Sequence, residues 1–187
     1  MTTPSGDLTE RTVSSRVLHR GRLLDVREDQ VLLPDGKAAT REYIRHPGAV
    51  VVIALLEDER LVLERQWRHP LRRVLIELPA GKIDAGEDVL ACAMRELAEE
   101  TGYVAGRWSE LATVYPCVGY SDERLVFFLA RGLRQEGAAP DEGEHLEVFS
   151  ATLDEALDWV RQGVITDGKT LIGLFWADKI LRGGWGP

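Results

Sequence analysis

Apolar residues follow two rhythms along this chain. Residues 49–56 are continuously apolar, which suits a strand buried on both faces, and residues 61–67 return with apolar and polar positions in alternation. The Glu57-Asp58-Glu59-Arg60 segment between them reads as a reversing turn. Further strand-like runs lie at 74–78, 110–115, 124–130 and 145–149. Two extended runs within 24–43 flank Pro34-Asp35-Gly36-Lys37, a turn-forming cluster, and predict a β-hairpin. Residues 1–15 are rich in Thr, Ser and charge and predict a loose terminus, with order beginning near Val17.

The helical rhythm is clearest from Glu87 to the breaker Gly102, with Leu90, Met94, Leu97 and Thr101 predicted on its inner stripe. Thr152, with Glu155 three residues on, reads as a capping box for a helix ending near Gly163. Asp167 is placed to open a last helix before Gly183-Gly184. Strands, a helix, more strands and two helices imply an α/β fold with a mixed sheet flanked by helices.

Composition narrows the class. A chain of 187 residues with 44% hydrophobic content can bury one core, so residues 48–187 read as one domain and 1–47 as a β extension. The longest apolar run is too short for a bilayer and the polar start lacks a signal peptide's apolar stretch, which implies no membrane partner and a cytoplasmic protein. Cys92 and Cys117 form no metal knuckle or redox pair and read as reduced thiols. A formal net charge of −8 disfavours polymeric nucleic acid but permits a small phosphorylated substrate if cations reverse the field locally. The four histidines show no metal-type spacing, and Ser121, Asp122 and His145 give little warrant for a hydrolase triad.

The chemistry concentrates in 81–103, where Gly81, Glu87, Arg95, Glu96, Leu97, Glu99, Glu100 and Gly102 stand at fixed offsets. A helix advances about 100° per residue, so Glu96 and Glu100 share a face while Glu99 turns further toward solvent. Like charges so placed repel by a few tenths of a kcal/mol, roughly, and a divalent cation removes that cost. Mg²⁺ prefers oxygen ligands and bridges carboxylates to substrate phosphates. Arg95, four residues before Glu99, is placed to brace that carboxylate or its neighbours. Acidic helix faces are usually just solvated, but the added offsets make a chance match improbable.

These spacings resemble the signature of Nudix hydrolases, with Tyr103 standing where that family usually has an aliphatic residue. The resemblance covers about 49–181 and implies an α/β/α sandwich. It also implies Glu96, Glu100 and the Ala80 carbonyl as metal ligands, Glu99 and Arg95 as their support, and Glu87 as a tie between loop and helix. Gln66-Trp67-Arg68, the segment 77–81 and the segment 119–123 resemble the ADP-ribose and sugar-nucleotide pyrophosphatase branch. That likeness implies Arg68 and Glu77 as binding residues for the nucleotide or terminal ribose, and an N-terminal extension that helps form a homodimer. The acidic loop 141–145 resembles that of the same relatives, implying Glu142 as the general base and Glu144 as an additional metal ligand. The activity implied is Mg²⁺-dependent hydrolysis of ADP-ribose to AMP and ribose 5-phosphate, with Mn²⁺ as a substitute metal. Val118 stands where ADP-ribose hydrolases often carry proline, which keeps GDP-mannose and other nucleoside diphosphate sugars open as substrates. A nucleotide-sensing module without catalysis is the reading from another class.

Overall fold

The structure is a computed structural model that describes residues 6–137 and 145–186. Two units divide the chain, Met1–His46 with Cys117–Glu123 and Pro47–Pro116 with Arg124–Pro187.

In the first unit β1 (Arg11–Arg20), β2 (Asp25–Leu32) and β3 (Ala38–Arg45) form an antiparallel sheet in that order. The expected hairpin is β2–β3, closed where Leu33 N–H donates to the Lys37 carbonyl at 2.8 Å and Asp35 accepts from the Lys37 N–H. The loose start expected before Val17 is corrected: residues 11–16 already belong to β1, which pairs along β2 from Arg11 opposite Leu32 to Arg20 opposite Asp25. Every residue of β1 is exposed, so no buried face marks it in the sequence. Its ladder and the cross-strand pair Arg16–Glu28, at 2.7 Å, define it instead. Segment 117–123 joins this unit through Ile44 N–H to the Tyr120 carbonyl and His46 N–H to Asp122 Oδ1, at 2.8 and 2.7 Å.

The second unit is organised around β4 (Ala49–Ala54), buried at every position. It runs antiparallel to β7 (Ala80–Lys82) and parallel to β9 (Leu125–Gln135), and β9 pairs antiparallel with β8 (Tyr103–Val114). Side chains alternate across a strand, so each face of β4 meets a different helical layer. Val50 and Val52 cluster with Val126, Phe128 and the residues Cys92, Ala93 and Leu97 of α1 (Val89–Thr101). Val51 and Ile53 cluster with Phe127, Leu129 and residues of α2 (Leu153–Arg161) and α3 (Gly168–Leu181). This is an α/β/α sandwich. A second antiparallel sheet has the order β10 (Leu146–Ala151), β5 (Leu61–Arg68), β6 (Arg73–Glu77).

Helix ends follow the local chemistry. Asp88 caps α1 by accepting from the Leu90 and Ala91 N–H groups, so the helix begins at Val89 and leaves Glu87 in the loop. Gly102 ends it in the left-handed conformation at φ 72°, which a residue without Cβ adopts freely. Thr152 and Glu155 form the capping box and Asp167 caps α3. The predicted inner stripe of α1 is corrected: Leu90 and Met94 are 37% and 47% exposed, and the buried residues are Cys92, Ala93, Leu97, Glu100 and Thr101. The small Cys92 and Ala93 side chains suit the packed face. Strand β8 starts at Tyr103, just past Gly102, where it pairs with Gln135 of β9, and not near Glu110; its half-exposed positions carry no clean alternation to mark that start in the sequence.

Candidate active site

Two carboxylates of α1 close on the same two residues of β7. Glu100 is buried, and its Oε2 accepts a 3.0 Å hydrogen bond from the Ala80 N–H. Glu96 lies directly against Gly81: a β-carbon built there would be 1.8 Å from its Cδ. Strand register turns Ala80 toward them. Val52 N–H donates to the Pro79 carbonyl, making 52 and 79 a bonded pair; the next pair, Val51 and Ala80, is then the non-bonded kind. The N–H and C=O of Ala80 therefore face away from β4. One helical turn thus spans the Ala80–Gly81 peptide with a carboxylate on each residue.

Arg95 organises the remaining charge. Its Nε and Nη2 meet the two Glu87 oxygens at 2.8 and 2.9 Å, and its Nη1 donates to Glu96 and Glu99, both at 2.9 Å. A planar guanidinium makes this fork; an ammonium does not. The pair holds Glu87 down to a pKa of about 2, first through Arg95 and then through the Asp84 N–H. Arg95 is raised above its ordinary value, chiefly by Glu87. Side-chain exposure of 13% for Glu96 and 33% for Glu99 agrees with the helical projection.

A second charged cluster lies three residues before Ala80. Glu77 is 1% exposed; Arg68 Nε and Nη2 donate to its two oxygens at 2.6 and 2.7 Å, and Lys169 donates to Oε2. Burial pushes the Glu77 carboxyl up, but the Arg68 hydrogen bonds and the Lys169 charge outweigh it and leave it below its ordinary value. Arg68, Glu77, Asp167 and Lys169 line a cavity of about 300 Å³ whose apolar wall is Pro70, Leu71 and Leu75. Arg68 is the more exposed partner, at 37%. Lys169 and Thr170 belong to this neighbourhood and were not anticipated. The one signal was the helix start at Asp167, which places them on the first turn of α3.

Glu142 and Glu144 lie outside the described residues. Trp67 and Val118 are 55% and 81% exposed, Val118 in segment 117–123 of the first unit.

The donor set suits a hard divalent cation. Among the described residues no three His, Cys, Asp or Glu side chains form a closed metal cluster. Mg²⁺ does not need one, because it is held by one or two carboxylates with waters and substrate phosphates completing its shell. Glu96, Glu100 and the Ala80 carbonyl are all oxygen donors around one peptide.

The NUDIX domain family matches residues 45–171, and the nucleoside diphosphate sugar hydrolase N-terminal domain matches residues 10–44. A Bacillus methanolicus protein named methanol dehydrogenase activator is 38% identical over 167 residues, 88% of this chain and 90% of its own length. An ADP-ribose pyrophosphatase of Bacillus subtilis strain 168 is 39% identical over 165 residues, 87% of this chain and 89% of that one. The crystal structure of an ADP compounds hydrolase superimposes with a TM-score of 0.85 at 24% identity, over 96% of this chain and 98% of that chain, a likeness of fold.

Proposed function

This chain belongs to the Nudix hydrolase family, and we propose that it hydrolyses the pyrophosphate bond of ADP-ribose to AMP and ribose 5-phosphate with Mg²⁺. The observation that carries the reading is the pair Glu96 and Glu100 set on either residue of the Ala80–Gly81 peptide. Similarity to an ADP-ribose pyrophosphatase over most of both chains supports the substrate.

In this reading Glu96, Glu100 and the Ala80 carbonyl hold the cation. Bound there, Mg²⁺ would neutralise charge on the pyrophosphate oxygens and make a water more acidic. Arg95 keeps Glu96 and Glu99 in place, and Glu87 fixes the plane of Arg95. Arg68 receives the nucleotide or the terminal ribose, with Glu77 behind it. Water adds to one phosphorus as the bridging P–O bond breaks, its proton passes to Glu142, and Glu144 adds a metal ligand. Positioning and charge neutralisation supply most of the rate. Residues 1–47 form the extension that joins two copies into a homodimer, and 48–187 the hydrolase domain. Among the described residues no helix is long and apolar enough to cross a membrane, and a cytoplasmic setting matches a nucleotide substrate.

The test is a panel of ADP-ribose, GDP-mannose, other nucleoside diphosphate sugars, dinucleotides and nucleoside triphosphates, assayed for phosphorylated products with Mg²⁺, Mn²⁺ or chelator. ADP-ribose should lead, and chelator should stop turnover. Preference for GDP-mannose replaces the substrate and keeps the chemistry. Glu100→Gln should fold normally and lose turnover; near-normal hydrolysis by that variant removes the central claim.

A further inference from the structure

The link from β6 to β7 that delivers Ala80 is fixed by groups from three directions. Two of them, the pairing of Pro79 to β4 and the bond from Ala80 N–H to Glu100, belong to the sheet and the metal site already described. The third comes from the first turn of α3 and has no part in that chemistry. Thr170, fully buried, accepts the Leu78 N–H at 2.9 Å and donates its hydroxyl proton to Asp167 Oδ2 at 2.7 Å. The same Oδ2 receives the Thr170 N–H and the Lys169 ammonium, both at 3.0 Å, and Lys169 reaches on to Glu77.

Asp167 thus anchors two arms. One runs through Lys169 to the side chain of residue 77, the other through Thr170 to the backbone of residue 78. The peptide chain from 77 to 80 is then held at four consecutive residues: the Glu77 carboxylate, the Leu78 N–H, the Pro79 carbonyl and the Ala80 N–H. A capping residue needs only to satisfy the helix end. Asp167 does that and also orients a hydroxyl whose remaining function is to receive the Leu78 N–H from 92 residues away in sequence.

We propose that Thr170 is a positioning residue for the metal site: through the Leu78 N–H it fixes the link between β6 and β7 that aims the Ala80 carbonyl at the cation held by Glu96 and Glu100. The inference rests on the reading of Ala80, Glu96 and Glu100 as metal ligands. Groups that hold a metal ligand in its orientation matter to the ion as the ligands do, and their loss costs metal affinity; Thr170 acts on Ala80 through the backbone, two residues along from the Leu78 N–H it holds.

The experiment titrates Mn²⁺ directly, by the electron paramagnetic resonance signal of the free ion, into wild type, Thr170→Val, Thr170→Ser and Glu100→Gln. Activity is measured in parallel against Mg²⁺ and against ADP-ribose. Thr170→Val should raise the Mn²⁺ dissociation constant and the half-saturating Mg²⁺ concentration about tenfold, the low end of the effect of such partners on metal affinity. KM for ADP-ribose at saturating metal should not move, and Thr170→Ser, which keeps the hydroxyl, should restore both metal constants. A folded Thr170→Val with wild-type Mn²⁺ affinity overturns the proposal, as does Thr170→Ser behaving like Thr170→Val. Should Thr170→Val not fold, Thr170→Ala removes the same hydroxyl from a smaller side chain and is read by the same criteria. Wild type that binds no Mn²⁺, or Glu100→Gln that binds it equally well, overturns the metal site itself and the inference with it.

Discussion

The α-carbon of Gly81 lies against the carboxylate of Glu96 so closely that a β-carbon at residue 81 would stand 1.8 Å from Cδ and 2.0 Å from Oε1. The clash is with the far end of a flexible side chain, so an added methyl group displaces the carboxylate and leaves the backbone in place. Gly81→Ala should keep its circular dichroism spectrum and melting temperature while turnover with Mg²⁺ falls on the order of a hundredfold, the usual cost of an ångström-scale misplacement in an active site. Turnover near the wild-type rate would mean that Glu96 has no fixed place in the chemistry.

The Glu87–Arg95 pair makes stability depend on pH in a defined window. Glu87 has its ordinary value of 4.5 in the unfolded chain and a value of about 2 in the folded one. A carboxyl depressed in this way stabilises the fold fully above the unfolded value, and the contribution is lost as pH falls toward the folded one. Urea midpoints of wild type and Glu87→Gln should therefore differ most above pH 4.5 and converge as the pH approaches 2. Curves that stay parallel through that window would contradict the pairing.

Removing Glu77 should unsettle its whole neighbourhood. Its carboxylate is buried between Arg68 and Lys169, and Glu77→Ala leaves two cations facing each other without it. Breaking a buried pair from one side costs about 3–5 kcal/mol, which urea denaturation would read directly. A loss of well under 1 kcal/mol, roughly that of an exposed pair, would show that the cluster is held loosely and that Glu77 serves the ligand more than the fold.

The two thiols should separate cleanly in reactivity. Burial, with a hydrogen bond to Glu87 behind it, pushes the Cys92 thiol up to about 12, and the residue is fully buried. Cys117 is partly exposed. Native protein titrated with DTNB at pH 8 should release one equivalent of chromophore, and Cys117→Ser should release none until denaturant is added, because only an accessible thiolate reacts.

What the sequence alone determined is what repeats over a few residues. Helical period places Glu96 and Glu100 on one face, Thr152 and Asp167 cap helices because their side chains reach N–H groups three residues on, and Gly102 stops α1 because it turns left-handed. The apolar run at 49–54 sets the central strand. These are local rules of geometry and hydrogen bonding, and they act wherever the residues occur.

Tertiary structure decided what depends on a distant partner. Leu90 and Met94 are larger than Cys92 and Ala93, yet beside Leu97 the sheet takes the smaller pair, a choice set by the space between the layers. Strand β1 has no buried face of its own and exists through the ladder that β2 offers. Lys169 and Thr170 read as ordinary helix residues until α3 brings them to Glu77 and Leu78. The paired carboxylates of the candidate site were legible because one helix carries them; the backbone beside them is aimed by contacts that only folding brings together.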